Sequence, residues 1–209
     1  RYYFNKKTSV VDPAHTERLG AFVCSYLQYL RVPVARVLDM GCGIGLWRDM
    51  VARHLPGAQY QGVEYSAYLC QRFGWQRGSV VDYPSATPYD FVICQGVLPY
   101  LGVQDLRRAL ANLGRLCQGA LYLEAVTRED WEQDMVDQTL TDARQFRHRA
   151  HVAQFAQGVQ QRGLAVVDMA HDGDHRRARN QRLIGVRGVE QAFLDVGFSD
   201  ALDGVAHFL

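Results

Sequence analysis

The stretch Val37-Leu38-Asp39-Met40-Gly41-Cys42-Gly43-Ile44-Gly45 decides how this chain is read. An apolar run ends at an acid, three glycines alternate, and LWRDMVARHLPG (46–57) continues at helical spacing, closed by Gly57. The pattern is strand, tight turn, helix. Glycine takes positive φ without a Cβ penalty and lets the backbone come close to a ligand. The helix start that follows presents N–H groups without intrahelical partners. A nucleotide-type cofactor fits such a crevice at the carboxyl ends of strands. A bare strand-to-helix turn is the alternative.

Working outward, YQGVEYS (60–66) reads as a second strand and SAYLCQRFG (66–74) as a helix with Ser66 at its N-cap. WQRGSVVDY (75–83) is a third strand with its exit. YDFVICQG (89–96) is a nearly continuous apolar run, as in a strand buried on both faces. DLRRALANLGRLC (105–117) is an amphipathic helix, and GALYLEAVT (119–127) a fifth strand. Toward the amino terminus, TERLGAFVCSYLQYL (16–30) sets Leu19, Phe22, Val23, Tyr26, Leu27 and Leu30 on one side of a helix ahead of the first strand, ARVLDM (35–40). Strands alternating with helices over short connections imply a parallel sheet wrapped by helices.

Beyond the fifth strand the pattern loosens. Residues 128–163 are polar and helix-rich. AVVDMA (165–170) and QRLIGVRG (181–188) flank DGDH and read as a hairpin, followed by a helix, VEQAFLDVGF, and a strand, SDALDG (199–204). The sixth core strand is therefore expected at about 198–203. The alternative uses 164–169 as strand six and QRLIGV as strand seven.

Two acids stand where a nucleotide needs them. Glu64, at the end of the second strand, can accept hydrogen bonds from both hydroxyls of a ribose. Asp82, after the third, can accept one from an adenine amino group, with Val81 and Tyr83 packing near the ring. The plainer alternatives are a solvated strand-end charge and an Asp opening a turn before Pro84.

These pieces together, VLDMGCGIG, GVEYS, GSVVDY, DFVICQGVLPYL and GALYLEA, resemble the class I S-adenosylmethionine-dependent methyltransferases over residues 33–126, with FLDVGF adding weaker similarity. The resemblance implies an α/β, Rossmann-like, doubly wound sheet of seven strands, mostly parallel with one antiparallel, helices on both faces and a small lid after strand five. It implies one domain over 1–209: a helical cap (1–32), a cofactor-binding core (33–126), a lid or insertion (127–187) and C-terminal core strands (188–209). It further implies S-adenosylmethionine as cofactor, with S-adenosylhomocysteine as product. Asp39, Gly41, Cys42, Gly43 and Gly45 would border its methionine part and ribose. Glu64 would bind the ribose hydroxyls, Tyr65 would lie near the adenine with Val81 and Tyr83, and Asp82 would meet the adenine amino group. Cys94, Gln95 and Gly96, with Val97, would form the wall near the methyl group. Gln95-Gly96 replaces the Asn-Pro-Pro-Tyr type motif of amino-directed nucleic-acid methyltransferases, and Cys94 follows Ile93 rather than a proline. Nucleic-acid bases are therefore not the expected acceptor.

Composition agrees with this class. Across 209 residues, 23 Lys+Arg face 22 Asp+Glu, a net charge of +1, without the basic excess of a dedicated nucleic-acid binder. Five cysteines without a CxxC pair read as buried, reduced thiols, which places the protein in the cytoplasm. No apolar run approaches the roughly 20 residues that span a bilayer. RYYFNKKTS lacks the apolar core of a secretory signal, and without an initiator Met further sequence is expected ahead of Arg1.

The expected activity is methyl transfer to oxygen or nitrogen of a small-molecule acceptor. In-line displacement needs proximity and alignment above all, and a base only where the acceptor carries a proton. The acceptor wall is expected from Tyr2 and Tyr3, from Glu124, and from Trp131 and His148 in the segment after strand five, with His148 as the candidate base. A solvated lid with salt bridges at helical spacing is the plain reading of that segment. No metal is expected: Asp134, Asp137 and His148 match no closed site, and His171, Asp172, Asp174 and His175 read as a hairpin tip. Two other functions compete. A non-catalytic S-adenosylmethionine-binding scaffold fits the same core. A NAD-dependent oxidoreductase fits less well, because the third glycine comes one residue too early for GxGxxG. Oligomeric state and acceptor identity are not encoded in any recognisable pattern.

Overall fold

The computed structural model describes residues 13–124, together with the backbone strands 165–169 and 181–184. The elements are α1 (Pro13–Tyr29), β1 (Arg36–Met40), α2 (Leu46–His54), β2 (Gln59–Glu64), α3 (Ala67–Phe73), β3 (Gln76–Arg77), β4 (Tyr89–Gln95), a 3-10 turn (Leu98–Tyr100), α4 (Val103–Leu116), β5 (Cys117–Glu124), β6 (Ala165–Met169) and β7 (Gln181–Ile184). The sheet runs β3-β2-β1-β4-β5-β6-β7. Strands β1 to β5 are parallel to their neighbours, β6 joins β5 in parallel, and β7 lies antiparallel on β6. The chain winds outward from β1 to β3, then returns beside β1 as β4. Asp39 stands in register with Gly62 on one side and Ile93 on the other. The winding reverses at this point, and open α/β sheets hold ligands beyond the strand ends at such a reversal.

Alternate residues of each strand point to opposite faces, and both faces are apolar. Leu38, Met40, Val63, Val92, Cys94, Leu121 and Leu123 meet Ala109, Leu113 and Leu116 of α4, with Val80 and Tyr83. On the other face Val37, Phe91, Ile93, Ala120 and Tyr122 meet Leu19, Val23 and Leu27 of α1 and Trp47, Met50 and Val51 of α2. Truncating one of these leucines to alanine costs about 2–5 kcal/mol. The Met50 thioether of α2 lies over Gly20 of α1, where a Cβ would displace it.

Local signals account for most boundaries. Ser66 caps α3, its hydroxyl accepting from the Leu69 N–H, and Gly74 ends it in the left-handed region at φ 74°. Helix α2 stops at His54, before the expected Gly57. Phe22 departs from the apolar stripe expected of α1: it is 37% exposed and stacks on Tyr26. The third strand is only two residues long. Gly78 onward is turn and loop, held by α4: Asn112 donates to the Val80 and Tyr83 carbonyls, and Arg115 to those of Tyr83 and Ser85.

The expected placement of strand six also changes. Residues 165–169 pair with β5 and residues 181–184 pair antiparallel with them. The two halves of the expected hairpin are thus themselves sheet strands, within the stretch read as a lid. Segment 199–204 lies outside the described residues. All five cysteines are free, and all but Cys70 are buried. Among the described residues no helix is long and apolar enough to cross a membrane.

Candidate functional site

Gly41, Gly43 and Gly45 all have positive φ, at 75°, 55° and 81°. The alternating glycines therefore serve a loop that other residues would strain. The Gly41 and Cys42 N–H groups both donate to the Val63 carbonyl, fastening the loop to the end of β2. Gly45 is the N-cap of α2 and brings no side-chain oxygen to its first turn.

Glu64 closes the other side. Its carboxylate accepts from the Gly43 N–H at 2.9 Å and, through the second oxygen, from the Ser66 N–H at 2.9 Å. Asp39 is 2% exposed and accepts a hydrogen bond from the Tyr60 hydroxyl. Burial pushes the Asp39 carboxyl up to about 7; the bond from Tyr60 opposes the rise and the Glu64 charge adds to it. Burial, then the charges of Asp39 and Glu64, raise the Cys42 thiol, and burial with Asp39 and Glu124 raises that of Cys94. Both stay protonated at neutral pH and are no nucleophiles there.

A second polar chain crosses the ends of β4 and β5. Trp47 Nε1 donates to Gln95 Oε1 at 2.8 Å, Gln95 Nε2 donates to Glu124 Oε2 at 2.8 Å, and the Tyr122 hydroxyl donates to the same oxygen at 3.0 Å. The Trp47 and Tyr122 rings lie 5.0 Å apart beneath it. Gly96 follows at φ 65°, its N–H on the Glu124 carbonyl.

The structure thus gathers Asp39, Gly41 to Gly45 and Glu64 around one turn, with Gln95, Gly96 and Glu124 on the neighbouring strand ends. Tyr65 stands beside Glu64 and is 73% exposed; Asp82 is exposed on the loop pinned by α4, with Val81 half-buried next to it. Tyr83 turns into the core, its hydroxyl donating to Gln76 Oε1, and the Cys94 side chain is core as well. The Cys42 sulfur faces Gly62 on β2. Tyr2, Tyr3, Trp131 and His148 lie outside the described residues, as does the cluster from His171 to His175. Trp47, Tyr60, Trp75 and Tyr122 were not marked by the sequence pattern. Each has a polar tip on a largely apolar ring, a combination that needs a partner when buried.

Two buried acids beside a glycine turn suit a ligand that carries positive charge and a diol. Among known proteins, the model of a methyltransferase domain matches residues 15–169. The chain belongs to that family. This is an S-adenosylmethionine-dependent methyltransferase domain. Trans-aconitate 2-methyltransferase of Pseudomonas paraeruginosa is 27% identical over 73 residues, 32% of this chain and 26% of that protein. Malonyl-[acyl-carrier protein] O-methyltransferase of Legionella pneumophila is 32% identical over 65 residues, 29% of this chain and 23% of that protein. The chain thus spans about a quarter of the length of these curated relatives. Among solved structures, the plantazolicin methyltransferase BpumL superposes with a TM-score of 0.55 at 12% identity, over 73% of this chain and 65% of that one. The methyltransferase domain of bacterial CtHen1-C gives 0.54 at 16% identity, over 71% and 85%. At these identities the likeness is one of fold.

Proposed function

We propose that this chain transfers the methyl group of S-adenosylmethionine to oxygen or nitrogen of a small-molecule acceptor, leaving S-adenosylhomocysteine. The observation that carries the reading is the joining of the glycine turn to Glu64 at the reversal between β1 and β4. When bound, the cofactor supplies a methyl activated by a sulfonium. The protein's part is to bind, align and exclude water. Gly41 to Gly45 border the methionine part and ribose, and Asp39 balances the positive charge. Each Glu64 oxygen holds one backbone donor and has a second lone pair for a ribose hydroxyl. Tyr65 and Val81 flank the adenine, and Asp82 accepts from its amino group. Gln95 and Gly96, with only the backbone of Cys94, wall the methyl, and Glu124 lies behind them.

The acceptor lies between that wall and a cover from Tyr2, Tyr3 and residues 127–151. His148 takes the acceptor's proton where there is one. The acceptors in the curated relatives' names, trans-aconitate and malonyl-[acyl-carrier protein], favour oxygen. The five free thiols favour the reducing cytoplasm.

Calorimetric titration with S-adenosylhomocysteine, followed by transfer of a labelled methyl to a panel of hydroxy, carboxylic and amino compounds, tests the proposal. Saturable binding with label in at least one acceptor is expected. Binding without transfer to any acceptor would instead favour a scaffold.

A further inference from the structure

The Trp75 indole, just before β3, lies against the glycine turn. Its Nε1–H donates to the Gly43 carbonyl at 2.9 Å, while the Gly43 N–H donates to Glu64. Gly43 is thereby held from both sides, on two different peptide groups. The ring fits a slot whose two walls are glycines. A Cβ on Gly45 would lie 2.4 Å from Trp75 Cζ2, and one on Gly62 would lie 2.7 Å from Cε3. The Arg48 guanidinium stands 5.5 Å from the ring, and Tyr60, whose hydroxyl holds Asp39, meets it edge-on at 6.2 Å. One side chain thus touches the turn, the first residues of α2 and the middle of β2.

We infer that Trp75 is a positioning residue for the cofactor, presetting the glycine turn through the Gly43 carbonyl. The inference rests on the cofactor reading above and goes beyond it. Two of the glycines are demanded by this ring: Gly45, which belongs to the turn, and Gly62, which lies outside it and has no positive φ to explain it. A turn held in its bound shape loses less freedom on binding, so affinity rises without a direct contact.

The test compares wild type, Trp75→Phe, Trp75→Leu, Gly62→Ala and Trp75→Leu/Gly62→Ala by titration with S-adenosylhomocysteine, melting temperature, and hydrogen exchange of residues 41–46 in the empty protein. Trp75→Phe keeps a ring and loses the N–H donor. Its Kd should rise about five- to tenfold, as expected for one lost hydrogen bond, with faster exchange in the turn. Gly62→Ala retains the indole but crowds it, and should also weaken binding. The double variant should lose less than the product of the Trp75→Leu and Gly62→Ala effects, because the tightest of the crowding goes with the ring and only the Cys42 sulfur remains close to the added methyl. Unchanged Kd in a folded Trp75→Phe, or multiplicative losses in the cycle, would reduce Trp75 to a packing residue while leaving the cofactor reading intact. A wild-type chain that binds no S-adenosylhomocysteine would overturn both.

Discussion

At the amino end of the sheet Asp90 accepts from the Ala35 N–H at 2.9 Å, the Arg36 N–H at 2.8 Å and Gln118 Nε2 at 2.7 Å. Burial resists ionisation there, but these bonds and the nearby Arg36 charge outweigh it and hold the carboxyl below its ordinary value. At the carboxyl end Asp39 has one hydroxyl donor, a neighbouring acid and almost no solvent, and its carboxyl is pushed up to about 7. One aspartate ties three parallel strands together at their starts. The other leaves acidity unbalanced where the strands open toward the crevice. The proposed cationic cofactor would offset the mismatch at the carboxyl end, while the amino end has none to offset.

The largest effect that can break this contrast comes from Gly43. Gly43→Arg places a long side chain at φ 55° between Glu64 and Trp75. Titration should show no S-adenosylhomocysteine binding in a protein whose circular dichroism remains native. Unchanged affinity would mean the carboxyl end is not the ligand end.

Glu64→Ala comes next. Losing a charged acceptor costs about 1–3 kcal/mol of binding. Because Glu64 also holds the Gly43 and Ser66 N–H groups, the empty protein should melt several degrees lower as well. At the opposite end, Asp90→Ala should lower the melting temperature and leave cofactor affinity alone. Equal loss of affinity in both variants would erase the distinction between the two ends.

Glu124→Gln probes the acceptor side of the same crevice. It keeps the acceptor oxygen and removes the charge. Methyl transfer should fall about 100-fold, the scale of loss when a group that aligns the reactants is displaced. S-adenosylhomocysteine affinity should change little. The reverse pattern would move Glu124 into the cofactor half.

The smallest effect is in pH. Asp39 holds its proton in the folded chain and loses it in the unfolded chain between the ordinary carboxylate range and about pH 7. Its contribution to stability is therefore present at low pH and lost as pH rises toward 7. Asp90 has the opposite sign: its contribution is present above the ordinary carboxylate value and lost on acidification. A cationic ligand favours ionised Asp39, so S-adenosylmethionine should bind more tightly as pH rises through about 7. The uncharged sulfur of S-adenosylhomocysteine should show less of this rise, and Asp39→Asn should abolish it. Titrations of both ligands between about pH 5.5 and 8.5 measure the difference.

The cofactor end was the more legible end in sequence, because its chemistry is done largely by backbone. Glycines at alternate positions announce positive φ, and an acid closing an apolar strand announces a carboxylate at a sheet edge. The Ser66 cap was equally plain. Gly45 was half legible: the turn showed the need for a glycine, but the indole packed against it comes from a residue 30 positions later, and the same ring's demand on Gly62 left no mark in the sequence. Trp47 and Tyr122 escaped for the same reason, since partners brought together by strand crossing leave no local spacing. The two-residue β3 was overread because VVDY has strand composition, while its Val80 carbonyl accepts from Asn112 and its Tyr83 carbonyl from Asn112 and Arg115 of α4. Placement of strand six depended on pairing with β5, which periodicity cannot choose between two apolar runs.

Hydrogen exchange of the wild-type chain with and without S-adenosylhomocysteine tests the central claim most directly. The amides of residues 39–46, 62–66 and 79–83 should slow on binding, while those around Ala35, Asp90 and Gln118 at the amino end should exchange alike in both states. Protection absent from the glycine turn and the Glu64 segment, or strongest at the amino end, would contradict the assignment of the crevice.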